Sequence, residues 1–169
     1  TLASLHKENE HKAYLALRGK AVGQEAVVRG YLHLPRGPAG EFGKMEQLTF
    51  DLQSKADHVD LAKLKSYIPK LGIDVAGDAG FNLQLSGSLK QPQAAGTVAL
   101  HTADIGGISI ERAEARLQVD AEQMTVTSFE GDVAGGLLKG SGWLQWKDQR
   151  YRVASQGRNL SLAALALLT

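Results

Sequence analysis

Histidine is the residue type in this chain best suited to metal binding or proton transfer, because imidazole titrates near neutral pH and is the commonest metal ligand. Of the 5 histidines, His6 and His11 are close to each other, whereas His33, His58 and His101 are isolated in the sequence. Structural zinc sites use closely spaced histidine or cysteine pairs, and this chain has neither a His-x3-His pair nor a cysteine. The spacing therefore indicates surface histidines and predicts no metal site.

A phosphate-binding loop is the second chemical possibility. Residues 37–45 read GPAGEFGKM, whereas the pattern G-x4-G-K-[S/T] requires glycine at Pro38 and a hydroxyl residue at Met45. The chain meets neither requirement, so this segment is interpreted as a solvent-exposed, glycine-rich loop. The chain also lacks the G-x-S-x-G motif of hydrolases, and its carboxylates are dispersed among Lys and Arg. No catalytic residues are nominated, and the sequence favours a protein that is not an enzyme.

The amino-acid composition limits the classes of partner and the cellular compartments that fit this chain. The 169 residues carry a net charge of +1, so no basic surface points to nucleic acid. The absence of cysteine fits an oxidising compartment. No apolar run approaches the length of a membrane span, and no signal peptide is recognised. We expect the chain to be a fragment of a longer protein.

The chain repeats itself at long range. Residues 13–34 align with residues 125–146, and three glycines of each copy coincide: Gly19, Gly23 and Gly30 with Gly131, Gly135 and Gly142. Such self-similarity is typical of arrays, in which a single unit cannot bury its apolar face alone. The expected organisation is one continuous stretch, 1–169, with the end of one unit and its helix at 12–67 and the next unit at 68–169.

Alternation of apolar and polar residues predicts an antiparallel all-β meander. The predicted strands are 12–18, 26–34, 47–55, 79–87, 95–102, 107–111, 113–120, 123–130, 137–147 and 149–156. Turn residues separate them, including Gly77-Asp78. A single internal helix is predicted from Leu61 to Ile68, with Asp60 as its cap and Pro69 ending it, and 161–168 is predicted as the truncated helix of the next unit.

One short helix cannot cover the apolar face of some ten strands. Either the sheet curls over itself into a closed barrel or sandwich, or its apolar face is left open as a hydrophobic groove for a ligand. We expect the open groove. Alternation assigns its lining to the following residues: Leu48, Phe50, Leu52, Phe81, Leu83, Leu85, Val98, Leu100, Leu117, Val119, Val126, Leu144, Trp146 and Val153.

Residues 87–100, GSLKQPQAAGTVAL, carry a resemblance to a known family. They resemble the recurring G-[ST]-L-x2-P-x3-G-x-[VIL]-x-[VIL] element of the TamB and AsmA-like proteins of the bacterial envelope. Leu61, Leu64, Ile68 and Pro69, upstream of this element, fit the same pattern. The resemblance implies a curved antiparallel sheet that forms an open, taco-like hydrophobic groove, with one short helix per repeat of roughly 100 residues. It also implies a location in the periplasm of a double-membraned bacterium, with the parent protein anchored in the inner membrane.

The resemblance also implies a function in phospholipid transport and outer-membrane biogenesis. The expected ligands are phospholipid acyl chains, without cofactor or metal. The expected protein partners are neighbouring repeats of the same chain and an outer-membrane barrel assembly protein of the TamA type. The alternative is an envelope interaction or adhesion module that uses free strand edges for β-augmentation, including assistance to outer-membrane protein assembly.

Overall fold

The structure, a computed structural model, describes residues 2–9, 12–21, 24–35, 43–64 and 74–161. These residues form an all-β fold with very little helix. The ten strands are β1 (Leu2–Asn9), β2 (Lys12–Ala21), β3 (Gln24–His33), β4 (Thr49–Asp60), β5 (Val75–Ser88), β6 (Pro92–Ile105), β7 (Ile108–Val119), β8 (Gln123–Val133), β9 (Gly136–Gln145) and β10 (Tyr151–Arg158).

The strands form one antiparallel sheet whose spatial order follows the sequence from β1 to β10. Each strand pairs with the strands before and after it in the chain, as the predicted meander requires. Within the described residues β1 and β10 each pair on one side only, so the sheet is open rather than closed into a barrel.

Within the described ranges, two short helices interrupt the meander: a 3-10 helix at Met45–Gln47 and α1 at Leu61–Leu64. Asp60 caps α1 as predicted, because its Oδ1 accepts a hydrogen bond of 3.1 Å from the backbone N–H of Ala62. Lys63 Nζ lies 3.1 Å from Asp60 Oδ2, and its hydrogen bond lowers the pKa of that carboxyl.

The strand predictions differ from the structure in three places. Predicted strands 107–111 and 113–120 are one strand, β7, whose bulge at Glu111 changes the alternation without ending the strand. Gly77-Asp78, predicted as a turn, lies inside β5 and pairs with β6. β1 has no counterpart among the predicted strands, because its apolar residues do not alternate. The predicted helical residues 65–68 and 162–168 lie outside the described residues.

Strand register separates the sheet into an apolar and a polar face. One row on the apolar face, from β3 to β10, comprises Gly30, Leu52, Leu85, Ala94, Val119, Met124, Leu144 and Tyr151. The adjacent row on this face comprises Val28, Ser54, Leu83, Gly96, Leu117, Val126, Gly142 and Val153. The row between them points to the polar face and comprises Arg29, Gln53, Gln84, Ala95, Gln118, Thr125, Trp143 and Arg152.

The buried core lies at one end of the apolar face. It consists of small and medium side chains that are no more than 8% exposed: Ala103, Ile110, Ala113 and Val133 of β6, β7 and β8. Leu61, which follows β4, and Leu160, which follows β10, both pack against this cluster. Because β4 and β10 lie on opposite sides of β6–β8, the two leucines cover the core from opposite directions.

A glycine at the centre of the apolar face allows two strands to approach closely. Gly96 has φ +154°, and a Cβ at this position would lie 2.1 Å from the backbone carbonyl oxygen of Asn82 on β5. Only a residue without a side chain fits there. A glycine inside a strand pattern is compatible with a bulge, with strong curvature or with close approach of another backbone, and at Gly96 the structure shows close approach.

Candidate functional site

The apolar face contains most of the residues predicted to line a groove. Register places twelve of the fourteen on this one face: Phe50, Leu52, Phe81, Leu83, Leu85, Val98, Leu100, Leu117, Val119, Val126, Leu144 and Val153. The other two lie outside the strands. Leu48 precedes β4, and Trp146 follows β9.

Trp146 contacts the turn that joins β7 to β8. Its indole Nε1 donates a hydrogen bond of 3.1 Å to the carbonyl oxygen of Asp120, and its backbone N–H donates one of 2.9 Å to Glu122. The residue is 42% exposed. Trp146 thus joins the β9 end to the turn between β7 and β8, a contact that alternation along β9 does not reveal.

The apolar face is partly buried along most strands but is not sealed. Among the described residues, no large side chain is fully buried. Exposure is greatest on β10, where Tyr151 and Val153 are 75% and 70% exposed. All ten strands belong to one sheet, so the described residues supply no second sheet to cover this face. The arrangement differs from a sandwich, in which two inner faces bury each other.

An apolar hollow of about 460 Å³ lies over β8, β9 and β10, and we refer to it as the β8–β10 hollow. Its lining is almost wholly apolar and includes Met124, Val126, Phe129, Leu138, Leu144, Tyr151 and Val153. Small-molecule sites occupy roughly 300–1,000 Å³. The hollow therefore has the size and the chemistry of a site for an apolar ligand.

A larger depression, of about 820 Å³, is lined mainly by polar-face side chains. Ion pairs occupy it: Lys139 Nζ lies 2.8 Å from Glu130 Oε1, and Arg112 Nη2 lies 3.8 Å from Asp132 Oδ2. An apolar ligand placed there would desolvate these charges without replacing their hydrogen bonds. For a hydrophobic ligand, lining chemistry favours the smaller β8–β10 hollow over the larger depression.

Two histidines predicted to be isolated lie together on the polar side of β4, β5 and β6. The rings of His58 and His101 are 5.3 Å apart, and His58 Nδ1 lies 2.7 Å from Asp78 Oδ2. This hydrogen bond raises the pKa of His58. We refer to His58, Asp78 and His101 as the histidine cluster. Sequence spacing could not reveal it, because the sheet brings together residues from three strands.

No family model, curated protein or solved structure matches the chain. In the described part of the chain, none of the helices has the length and hydropathy needed to cross a membrane.

Proposed function

We propose that this chain is a segment of a non-enzymatic lipid conduit, whose apolar face binds the acyl chains of phospholipids. The observation that carries this proposal is the open apolar face. Leu52, Leu85, Leu117 and Val126 form part of a continuous apolar surface across several strands, and no second sheet of described residues lies over it. An extended ligand fits such a surface better than a compact one.

Acyl-chain binding here requires no chemistry beyond burial. Each methylene group removed from water contributes about 0.8 kcal/mol. Neighbouring rows of the face present similar apolar side chains, so a tail can move from one row to the next without crossing a large barrier. The head group stays in water at the mouth of the β8–β10 hollow. The exposed side chain of Tyr151 lies at this hollow.

The resemblance of residues 87–100 to the TamB and AsmA-like proteins extends the proposal. The chain would then act in the periplasm and pass phospholipids between the inner and outer membranes. Neighbouring repeats would lengthen the groove, and a TamA-like barrel assembly protein would be the outer-membrane partner. The internal alignment supports this organisation, since the two copies fall on β2 and β3 and on β8 and β9.

Site-specific photo-crosslinking tests the lipid proposal. A photoreactive amino acid is placed at Leu117 or Val126, which are register partners on the apolar face. The matched controls are Gln118 and Thr125, which are the adjacent register partners on the polar face. After irradiation with phosphatidylethanolamine and phosphatidylglycerol vesicles, we expect lipid adducts by mass spectrometry at the first pair only. Equal labelling of both pairs, or no labelling, would contradict the proposal.

β-Augmentation is the second candidate function, and β10 is the observation that favours it. Every residue from Tyr151 to Arg158 is exposed, and β10 pairs only with β9 among the described strands. A strand with one free edge can accept an extended segment of another chain. This mode of binding uses backbone hydrogen bonds at the edge and leaves the apolar face unoccupied, so the crosslinking experiment separates the two candidates.

A further inference from the structure

We infer that the histidine cluster, His58, Asp78 and His101, is a binding site for a first-row transition-metal ion, with Zn²⁺ as the representative ion. One ring nitrogen of each histidine and one carboxylate oxygen of Asp78 lie within 4.8 Å of one another. Two imidazoles and one carboxylate form a donor set that suits zinc and its neighbours. This site is independent of the apolar face and of the proposed lipid function.

Two bulges on opposite sides of β5 create the cluster. Between the pairs Ala56–Phe81 and Val59–Ala79, β4 has two residues, Asp57 and His58, where β5 has only Gly80. On the other side, β6 has one extra residue, His101, between the partners of Asp78 and Ala79. An extra residue redirects its side chain relative to regular alternation. His58 therefore reaches the polar side out of regular alternation, whereas His101 lies there because it directly follows Leu100 of the apolar face.

Gly80 lets the bulge of β4 lie close to β5. Its neighbours Ala79 and Phe81 belong to the apolar face, so position 80 points to the polar face, between the bulges of β4 and β6. A Cβ on Gly80 would lie 2.8 Å from the carbonyl oxygen of Asp57. With no side chain at this position, the β4 backbone that carries His58 packs closely against β5, and the rings of His58 and His101 are 5.3 Å apart.

The distances in the cluster are close to those of a coordinated ion. Two ligand atoms bound tetrahedrally at about 2.0–2.2 Å from zinc are about 3.3 Å apart. His58 Nδ1 and Asp78 Oδ2 are separated by 2.7 Å and share a hydrogen bond whose proton an ion would replace. The side chains of His58 and Asp78 are 63% and 33% exposed, so small rotations can close the remaining gap.

His101 already has the second contact that metal-binding histidines commonly make. Its Nε2 donates a hydrogen bond of 3.1 Å to the backbone carbonyl oxygen of Asp57. This contact fixes the ring and leaves the lone pair of Nδ1 for an ion. The charges around the cluster also favour a cation, because carboxylates outnumber lysines there. The carboxylates are Asp57, Asp60 and Asp78, and the lysines are Lys55 and Lys63.

Isothermal titration of the untagged protein with ZnCl₂ tests the inference. We expect one saturable site, and we expect His58→Ala, Asp78→Asn and His101→Ala each to weaken its affinity about tenfold or more. Asp132→Asn is the matched carboxylate control, since Asp132 is also partly buried and ion-paired on the polar face, and His33→Gln is the histidine control. Both controls should bind Zn²⁺ like the wild type. MgCl₂, a hard cation that prefers oxygen ligands, should not bind the site.

Co²⁺ substitution provides a second measurement that does not depend on heat of binding. Visible absorption bands of the Co²⁺ form should report nitrogen and oxygen ligands, and they should disappear in His58→Ala and His101→Ala. Circular dichroism of each variant confirms that the sheet is retained, which we expect because both histidines are exposed. Zn²⁺ affinity unchanged in all three cluster variants, or no saturable binding to the wild type, would overturn the inference.

Discussion

The indole N–H of Trp146 donates a hydrogen bond of 3.1 Å to the backbone carbonyl oxygen of Asp120, and this contact ties the end of β9 to the turn after β7. Asp120 is itself part of that turn, because its Oδ1 accepts hydrogen bonds of 2.8 Å from the backbone N–H groups of Glu122 and Gln123. The tryptophan therefore stabilises a turn.

Trp146→Phe tests this role. The variant keeps an aromatic ring but loses the donor, so we expect the free energy of unfolding to fall by about 0.5–1.5 kcal/mol. Urea denaturation followed by circular dichroism measures the change. Lipid crosslinking from Val126 should be unaffected, because Trp146 lies beyond the strand. A large loss of crosslinking with unchanged stability would instead assign Trp146 to ligand binding.

Gly96→Val should destabilise the sheet strongly. The new side chain would meet the Asn82 carbonyl and would have to adopt a φ of +154° that costs a valine about 1–3 kcal/mol before any clash is counted. Ala95→Val is the matched control, since Ala95 is exposed on the polar face of the same strand. Thermal melting should separate the two variants clearly, and equal melting temperatures would contradict the observed close approach.

A charge on the apolar face should have effects that depend on distance from the core. Leu100 is partly buried and packs against the buried cluster, so the carboxylate in Leu100→Asp would lie against apolar neighbours and should cost several kcal/mol. Leu117 is equally partly buried but is not among the residues that pack against this cluster, and for Leu117→Asp we expect a smaller cost of about 1–2 kcal/mol. Thermal melting measures both.

Leu117→Asp therefore gives a folded protein in which lipid binding can be tested. We expect crosslinking to lipid from Val126 to decrease in this variant, because a carboxylate now lies beside the tail. Gln118→Asp, with the charge on the polar face, should crosslink like the wild type. Collapse of the fold in Leu117→Asp would indicate a closed core and would count against the lipid proposal.

Among the described strands β10 is an edge strand, and this edge should promote self-association. Val153 is 70% exposed on this edge strand, and apolar edge strands pair readily with other chains. We expect concentration-dependent dimers by analytical ultracentrifugation. Val153→Lys should weaken association, since lysine on an edge opposes pairing, whereas Gln156→Lys at the already polar end of β10 should change it less. A strictly monomeric wild type at high concentration would contradict this prediction.

The sequence by itself determines most of the strands and their apolar and polar faces, because both depend on local alternation. Leu83 and Leu117 come from distant segments, yet parity within each segment was enough to place both on the apolar face. The helix cap at Asp60 could also be predicted from the sequence, because it depends only on the neighbouring residues of the chain. These features needed no knowledge of which strands are neighbours.

Only the tertiary structure determines what depends on the partner strand. A bulge is an extra residue relative to a neighbouring strand, so the change of alternation at Glu111 cannot be told from a strand end, and His101 carries no local signal of a bulge. Gly77 likewise reads as a turn residue until β6 is placed beside it. The histidine cluster and the contact of Trp146 with Asp120 have the same cause, because strand register brings together residues that are far apart in the chain. The alternation of side chains along one strand does not reveal that strand's register with its neighbour.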